Sequence, residues 1–149
     1  MRSLAAIVLL FALSRDLSAS TLYVNAATGS DTAGNGSAAS PWRTITRALS
    51  APPKPGDVIS AAAGTYGVPV GESFPLRLPP AVALRGADAA TTIVWGIPSK
   101  PVIEMSHDGS YLFESVVEML TVKGGQDGVR IFSQLNRRVE PTVRDCRIE

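Results

Sequence analysis

A seven-residue pattern occurs twice near the end of the sequence, at residues 117–123 and again at residues 143–149, a shift of 26 residues. A straight strand cannot place apolar residues spaced by three and then by two on one face, because its side chains alternate between faces. The pattern therefore predicts two short strands joined by a sharp bend, at Met119 or at Asp145, and a repeat of about 20–30 residues is typical of one coil of a β-solenoid. Both copies carry apolar residues at the first, fourth and sixth positions: Val117, Leu120 and Val122, then Val143, Cys146 and Ile148.

The rest of the chain after residue 57 consists of short apolar runs separated by Gly, Pro or Asp. Such spacing by itself suits a sandwich, a barrel or a solenoid. The 26-residue repeat favours the solenoid, with a chance likeness of the two copies as the alternative. We therefore predict an all-β fold, a parallel β-helix, and crossover connections between parallel strands favour the right hand. The predicted strands are Val58–Ala61, Leu76–Leu78, Val82–Leu84, Thr92–Trp95, Val102–Met105, Val116–Val122, Val129–Phe132 and Thr142–Ile148.

The first twenty residues have the features of a secretory signal peptide. Arg2 supplies a positive charge, residues 4–13 form an uninterrupted apolar run, and residues 18–20 offer small side chains for cleavage. A membrane-spanning helix needs about 20 apolar residues, and Arg15 ends this run earlier. We predict a signal peptide at 1–20 and a secreted, periplasmic or cell-surface protein with no membrane span after cleavage; a buried N-terminal helix is the alternative.

Residues 21–57 are predicted to form a strand, a loop and a helix that caps the solenoid. Thr21–Val24 has strand character, and residues 25–36 are almost all turn formers. Ser40 suits a helix N-cap and Pro41 the first helical position, which predicts a helix over 41–50. Its apolar stripe would cover the otherwise exposed first coil, so that residues 58–149 form the first coils of the β-helix. The stripe consists of Trp42, Ile45, Ala48 and Leu49.

Composition excludes several classes of protein. Lys and Arg total 14 against 13 Asp and Glu, and without the predicted leader the charges balance, so nothing indicates a nucleic-acid partner. Apolar residues make up 45% of the chain, too many for a disordered protein. The single cysteine, Cys146, excludes an internal disulfide, and the single histidine, His107, excludes a multi-histidine metal site.

A series of short motifs follows in order along the chain: Tyr23-Val-Asn25, Gly29-Ser-Asp31, Pro41-Trp-Arg-Thr-Ile45, Pro55-Gly-Asp57, Gly64-Thr-Tyr66, Gly71-Glu-Ser-Phe-Pro-Leu76 and Val82-Ala-Leu-Arg-Gly86. This series resembles a family of unknown function that forms the N-terminal domain of right-handed parallel β-helix proteins of the pectin-lyase-like superfamily. The resemblance covers nearly all of residues 22–149, and it implies the fold, the capping helix and a possible relation to carbohydrate. Ala63 departs from the family pattern, which usually has proline there.

Candidate chemistry is sparse, and we predict no catalytic, cofactor-binding or metal-binding residues. Calcium at Asp31 and Asn35, in the Gly-rich loop, is the open alternative, although the loop lacks the EF-hand pattern. At a 26-residue repeat, Glu118 and Arg144 become neighbours on adjacent coils. We expect a cross-strand ion pair of small energetic value there, with a grip on a sugar acid as the alternative.

These observations predict an exported β-helix domain that acts as a non-catalytic surface scaffold or a glycan-binding module, with a polysaccharide or cell-surface glycan as partner. Because no capping element follows the second repeat, we also expect that Glu149 lies within the solenoid of a longer protein. The alternative function is the N-terminal part of a polysaccharide lyase or glycoside hydrolase whose catalytic coils lie beyond residue 149. The oligomeric state is open.

Overall fold

The computed structural model describes residues 18–107, 115–133 and 141–149. Most of the predicted signal peptide and the two segments between these ranges lie outside the described residues. The elements, in chain order, are β1 (Thr21–Val24), α1 (Ile45–Ser50), β2 (Val58–Ala61), β3 (Gly64–Gly67), a 3-10 turn (Val68–Val70), β4 (Leu76–Leu78), β5 (Ala83–Gly86), β6 (Thr92–Trp95), β7 (Ile103–His107), β8 (Val116–Glu118), β9 (Thr121–Lys123), β10 (Val129–Ser133), β11 (Thr142–Arg144) and β12 (Arg147–Ile148).

The strands form three sheets, and every pairing between named strands is parallel. Sheet 1 has the order β1-β2-β5-β8-β11, sheet 2 has β4-β7-β10, and sheet 3 has β3-β6-β9-β12. From β2 onward the chain visits the sheets in rotation, so each strand stacks on the equivalent strand of the previous coil. This winding confirms the predicted parallel β-helix. The apolar core lies inside the winding, and its residues include Leu84, Val94, Val117 and Val122.

The repeat corresponds to one coil, as the sequence predicts. Val143 pairs with Val117 and Ile148 pairs with Val122, each at the 26-residue shift. Met119 and Asp145 occupy the corners between sheets 1 and 3 with φ of 57° and 52°, in the left-handed region that reverses the inward direction. The predicted strands at 116–122 and 142–148 are therefore each two strands about a bend.

The predicted start of the helix at residue 41 is wrong. Trp42 forms a parallel bridge to Val24, donating its N–H to the Tyr23 carbonyl at 3.0 Å and accepting from the Asn25 N–H at 2.8 Å. Trp42 thus continues the edge of sheet 1, and its indole N–H donates to the Gly34 carbonyl. The helix begins only at Ile45, because the Thr44 side chain caps it by accepting from an N–H of the first turn.

Helix α1 packs against β1, β2 and β4, the first strands of sheets 1 and 2. Ile45 and Ala48 are fully buried, and Leu49 packs against the core from a partly buried position. The helix thus covers the start of the β-helix, as predicted, although over six residues rather than ten.

Two acidic side chains hold the start of α1 in place. Asp31 accepts from the N–H groups of Arg43 and Thr44. Glu72 is buried and accepts from the N–H of Ile45 at 2.7 Å and from the N–H of Thr46 at 2.9 Å. Desolvation outweighs these hydrogen bonds and raises the pKa of Glu72 above its ordinary value.

Gly64 and Tyr66 lie in strand β3, which the pattern did not predict. Gly64 has a φ of 154°. The ring of Tyr66 is fully buried, and its hydroxyl donates to the carbonyls of Val24 and Ala62 at 3.1 and 2.9 Å. Burial raises the pKa of Tyr66 to about 12. The residue ties the first strand to the first corner of the winding.

Candidate functional site

The largest exposed aromatic surface in the described residues is Trp95, at the end of β6. Strand alternation buries Val94 in the core and turns Trp95 outward, where it is 54% exposed. In sheet 3 it stands in register between Gly67 and Lys123. Because Gly67 has no side chain, the space beside the indole stays open on that side.

This open space is a groove of about 400 Å³, and its surface is almost wholly apolar. The 3-10 turn at Val68–Val70 forms one wall and Trp95 the other. Val68 is itself more than half exposed, so apolar surface continues out of the groove. The residues that line it include Thr65, Val68, Pro69, Val70, Trp95 and Ile97.

Two contacts set the position of the indole. The Lys123 ammonium lies 5.0 Å from the centre of the Trp95 ring, a cation–π distance. Gly124 has a φ of 76°, and a Cβ there would lie 2.5 Å from the indole Nε1. The indole ring therefore packs directly against the backbone of Gly124, where any other residue would place a side chain. Lys123 and Gly124, which hold the ring, both belong to the next coil.

A charged ladder runs across sheet 1. Glu118 stands between Arg85 and Arg144 in the register of the strands, and its carboxylate bonds the Nε of both, at 2.5 Å each. The predicted contact between Glu118 and Arg144 is confirmed. Burial acts to raise the pKa of Glu118, but the hydrogen bonds from Arg144 and Arg85 outweigh it and hold the pKa below its ordinary value.

A second ladder, which the sequence analysis missed, runs across sheet 2. Glu104 stands in register between Arg77 and Arg130, with N–O distances of 3.1 Å to Arg77 and 3.8 Å to Arg130. Arg130 also bonds Asp127. The sequence does contain Arg77, Glu104 and Arg130 at separations of 27 and 26 residues, close to the length of one coil. Recognising the ladder also required knowing how the three strands that carry these residues are aligned. Both ladders place these acids in ion pairs on outer sheet faces.

Replacing Glu118 with glutamine is expected to lower the free energy of unfolding by about 1–2 kcal/mol at neutral pH, because two charge-assisted hydrogen bonds become neutral ones. The folded-state pKa of Glu118 is depressed, so its contribution is present above the ordinary value near 4.5 and is lost as the pH falls through the folded-state pKa. The difference between the two proteins should therefore shrink in acid. Urea titrations across pH measure it, and a constant difference would contradict the ion-pair assignment.

Asp31 and Asn35, the calcium alternative, take part in local structure. Asp31 holds the N-cap residue Thr44, because its two carboxylate oxygens accept from the Thr44 N–H and hydroxyl, and Asn35 accepts from the Ser37 N–H. Within the described ranges, no group of three or more His, Cys, Asp or Glu side chains is placed to hold a metal ion. No helix in those ranges is long and apolar enough to cross a membrane.

No curated protein and no solved structure matches the chain. Residues 27–110 match a family described as protein of unknown function (DUF1565). This range spans more than half of the chain and includes α1, the strands β2 to β7 and Trp95. The chain belongs to the DUF1565 family.

Proposed function

We propose that this chain is an exported, non-catalytic β-helix module that binds a polysaccharide or cell-surface glycan in the groove beside Trp95. The observation that carries the proposal is the indole, which is 54% exposed at an apolar groove of about 400 Å³. A flat aromatic face packs well against the C–H face of a sugar ring, and binding sites of this size combine apolar walls with few polar groups.

The polar groups near the groove suit a sugar. The Thr65 hydroxyl lies on its lining, and the Lys123 ammonium stands beside the indole. The Thr65 hydroxyl can donate a hydrogen bond to a ring or hydroxyl oxygen of a sugar, and the ammonium holds the indole from the side away from Gly67. The indole itself is fixed by Gly124 and Lys123 rather than free to rotate, so little conformational entropy is lost when a ring stacks on it.

The scaffold part of the proposal rests on the charged ladders. Glu104 and Glu118 are each held by two arginines, an arrangement that strengthens stacking of coils and keeps the Glu118 carboxylate ionised. A carboxylate held in its ionised form, as that of Glu118 is, is a poor general acid near neutral pH. The export part rests on the apolar run at 4–13 and the charge at Arg2.

We expect Trp95→Ala to lower the affinity for a bound polysaccharide by more than about tenfold, because a central exposed tryptophan commonly dominates such a contact. Isothermal titration calorimetry measures the affinity of both proteins for a panel of soluble neutral and acidic polysaccharides, since the variant lacks the indole that would report binding by fluorescence. In the unaltered chain, a change of tryptophan fluorescence on binding should come from Trp95, because Trp42 is buried. The variant should lose about 1 kcal/mol of unfolding free energy with its cation–π contact to Lys123, which is too little to unfold the chain.

Phe132→Ala is the matched control, since Phe132 is also an exposed aromatic but lies in strand β10 of a different sheet. It should leave polysaccharide affinity unchanged. Binding that survives in Trp95→Ala, or that disappears equally in Phe132→Ala, would assign the glycan to another surface. The absence of binding across the whole panel would refute the proposed function.

A further inference from the structure

The groove beside Trp95 is polar at one end and apolar at the other. Strand β3 turns Thr65 and Gly67 to the same outer face, because residues two apart along a strand share a face. Thr65 is exposed and lies roughly 7 Å along the strand from Gly67. After Gly67 the chain enters the 3-10 turn at Val68–Val70, which together with Ile97 gives the other end an apolar lining. All of these residues belong to the coils of β3 and β6, and the coil of β9 packs on β6.

The hydroxyl of Thr65 is available to a ligand. Within the described part of the chain, neither this hydroxyl nor the indole N–H of Trp95 has a hydrogen-bond partner. The indole nitrogen lies beside Gly124, toward the next coil. Among the described residues that line the groove, Thr65 therefore provides the polar side-chain group of the side that faces away from this coil.

A sugar ring that stacks on Trp95 meets different neighbours at its two ends. Toward Thr65, a ring hydroxyl can exchange a hydrogen bond. Toward Val68, Val70 and Ile97, a hydroxyl would lose water without gaining a partner, which is unfavourable. A methyl group at that end would instead gain from burial against the apolar wall.

We propose that the groove selects 6-deoxyhexoses, sugars that carry a methyl group where an ordinary hexose carries a hydroxymethyl group. The ring stacks on Trp95, a ring hydroxyl pairs with Thr65, and the methyl group packs against Val68, Val70 and Ile97. This assignment rests on the proposed function, because it names the class of sugar that binds at the same groove.

The groove is less suited to the two neighbouring classes of ligand. A purely hydrocarbon ligand would cover the Thr65 hydroxyl without giving it a partner. An acidic sugar would place its carboxylate among apolar walls, and no described residue on the lining is a cation. Lys123 stands on the other side of the indole from Gly67 in the register of sheet 3.

The test titrates two matched pairs of methyl glycosides into the isotopically labelled full chain: L-fucoside with L-galactoside, and D-rhamnoside with D-mannoside. The members of a pair differ only by one hydroxyl, which the deoxy sugar lacks. The chain has two tryptophans, so the indole N–H signal of Trp95 reports binding by NMR, and that of Trp42, which bonds to the Gly34 carbonyl, is the reference. We expect the deoxy member of at least one pair to bind about tenfold more tightly.

Three variants assign this preference to the groove. Val68→Thr should reduce it to less than about threefold, because the added hydroxyl gives the hexose a partner. Ile131→Thr makes the same kind of change at an exposed residue of β10, outside the groove, and should leave the preference intact. Thr65→Val should weaken the binding of both members of a pair by a similar factor, because both carry the ring hydroxyl that loses its partner.

Unchanged backbone amide spectra away from each substitution show that the free variants remain folded. Equal affinities in both pairs, a preference for the hexose, or a preference that survives in Val68→Thr would each overturn the assignment and leave glycan binding at Trp95 standing. The absence of a Trp95 shift with all four glycosides at about 100 mM would overturn it as well. The polysaccharide titrations of Trp95→Ala decide the proposed function separately.

Discussion

Replacing Gly86 with alanine is expected to lower the free energy of unfolding by about 4 kcal/mol or more, a large part of the stability of a domain of this size. Gly86 ends strand β5, directly beneath the corner of the next coil. A Cβ at this position would lie 2.1 Å from the carbonyl oxygen of Met119 and 2.9 Å from its carbonyl carbon. Met119 already has a φ of 57°, so the backbone that must move is the strained corner on which the change of sheet depends.

Gly56→Ala is the control for this prediction, because it also replaces a glycine but creates no steric clash. Gly56 has a φ of 94°, but a Cβ there would have its nearest contact at 3.7 Å, with Ala19. It should cost about 1–2 kcal/mol, the price of a left-handed conformation alone. Urea unfolding followed by circular dichroism measures both variants. Equal effects at the two positions would show that the stacked corner is not a steric constraint.

Replacing Glu72 with alanine is expected to lower the free energy of unfolding by about 3 kcal/mol at neutral pH. The N–H groups of Ile45 and Thr46, together with the Thr46 hydroxyl, lose their acceptor, and buried donors without an acceptor cost about 1–3 kcal/mol each. The cap should loosen first, so amide exchange in α1 should accelerate before exchange in the sheets does. Glu149→Ala, which removes an acid from an exposed pair, should cost less than about 1 kcal/mol.

The loss of stability caused by Glu72→Ala should depend on pH in the opposite direction to the loss caused by Glu118→Gln. The pKa of Glu72 is raised in the folded state, so the stability linked to its protonation is fully present below the ordinary value near 4.5 and is lost as the pH rises through the folded-state pKa. The difference between the wild type and Glu72→Ala should therefore widen on acidification. A difference that narrows in acid would show that hydrogen bonding, not desolvation, dominates at Glu72.

Much of the architecture follows from local patterns. The bends at Met119 and Asp145 were predicted because apolar residues at spacings of three and two cannot share one face of a straight strand. Strands β2, β4 and β6 have the predicted bounds, because short alternating runs between turn formers carry enough local information.

The start of α1 and the cap at its N-terminus depended on contacts distant in sequence. Ser40 and Pro41 form a reasonable helix start when considered locally, yet Trp42 pairs with Val24 as part of a sheet. Glu72 reaches the helix from a position 27 residues beyond Ile45. Backbone pairing in a sheet competes with helix formation at Trp42, and local propensity is the weaker of the two.

The sequence by itself determined that this chain forms coils of short parallel strands under a helical cap, because side-chain alternation and turn chemistry act over a few residues. Only the tertiary structure decided which residues stack. Stacked positions are 25 residues apart from Ile59 to Leu84, 33 from Leu84 to Val117 and 26 from Val117 to Val143. Because the connections between strands differ in length, the groove at Trp95 and the Arg77–Glu104–Arg130 ladder appear only once the coils are in register.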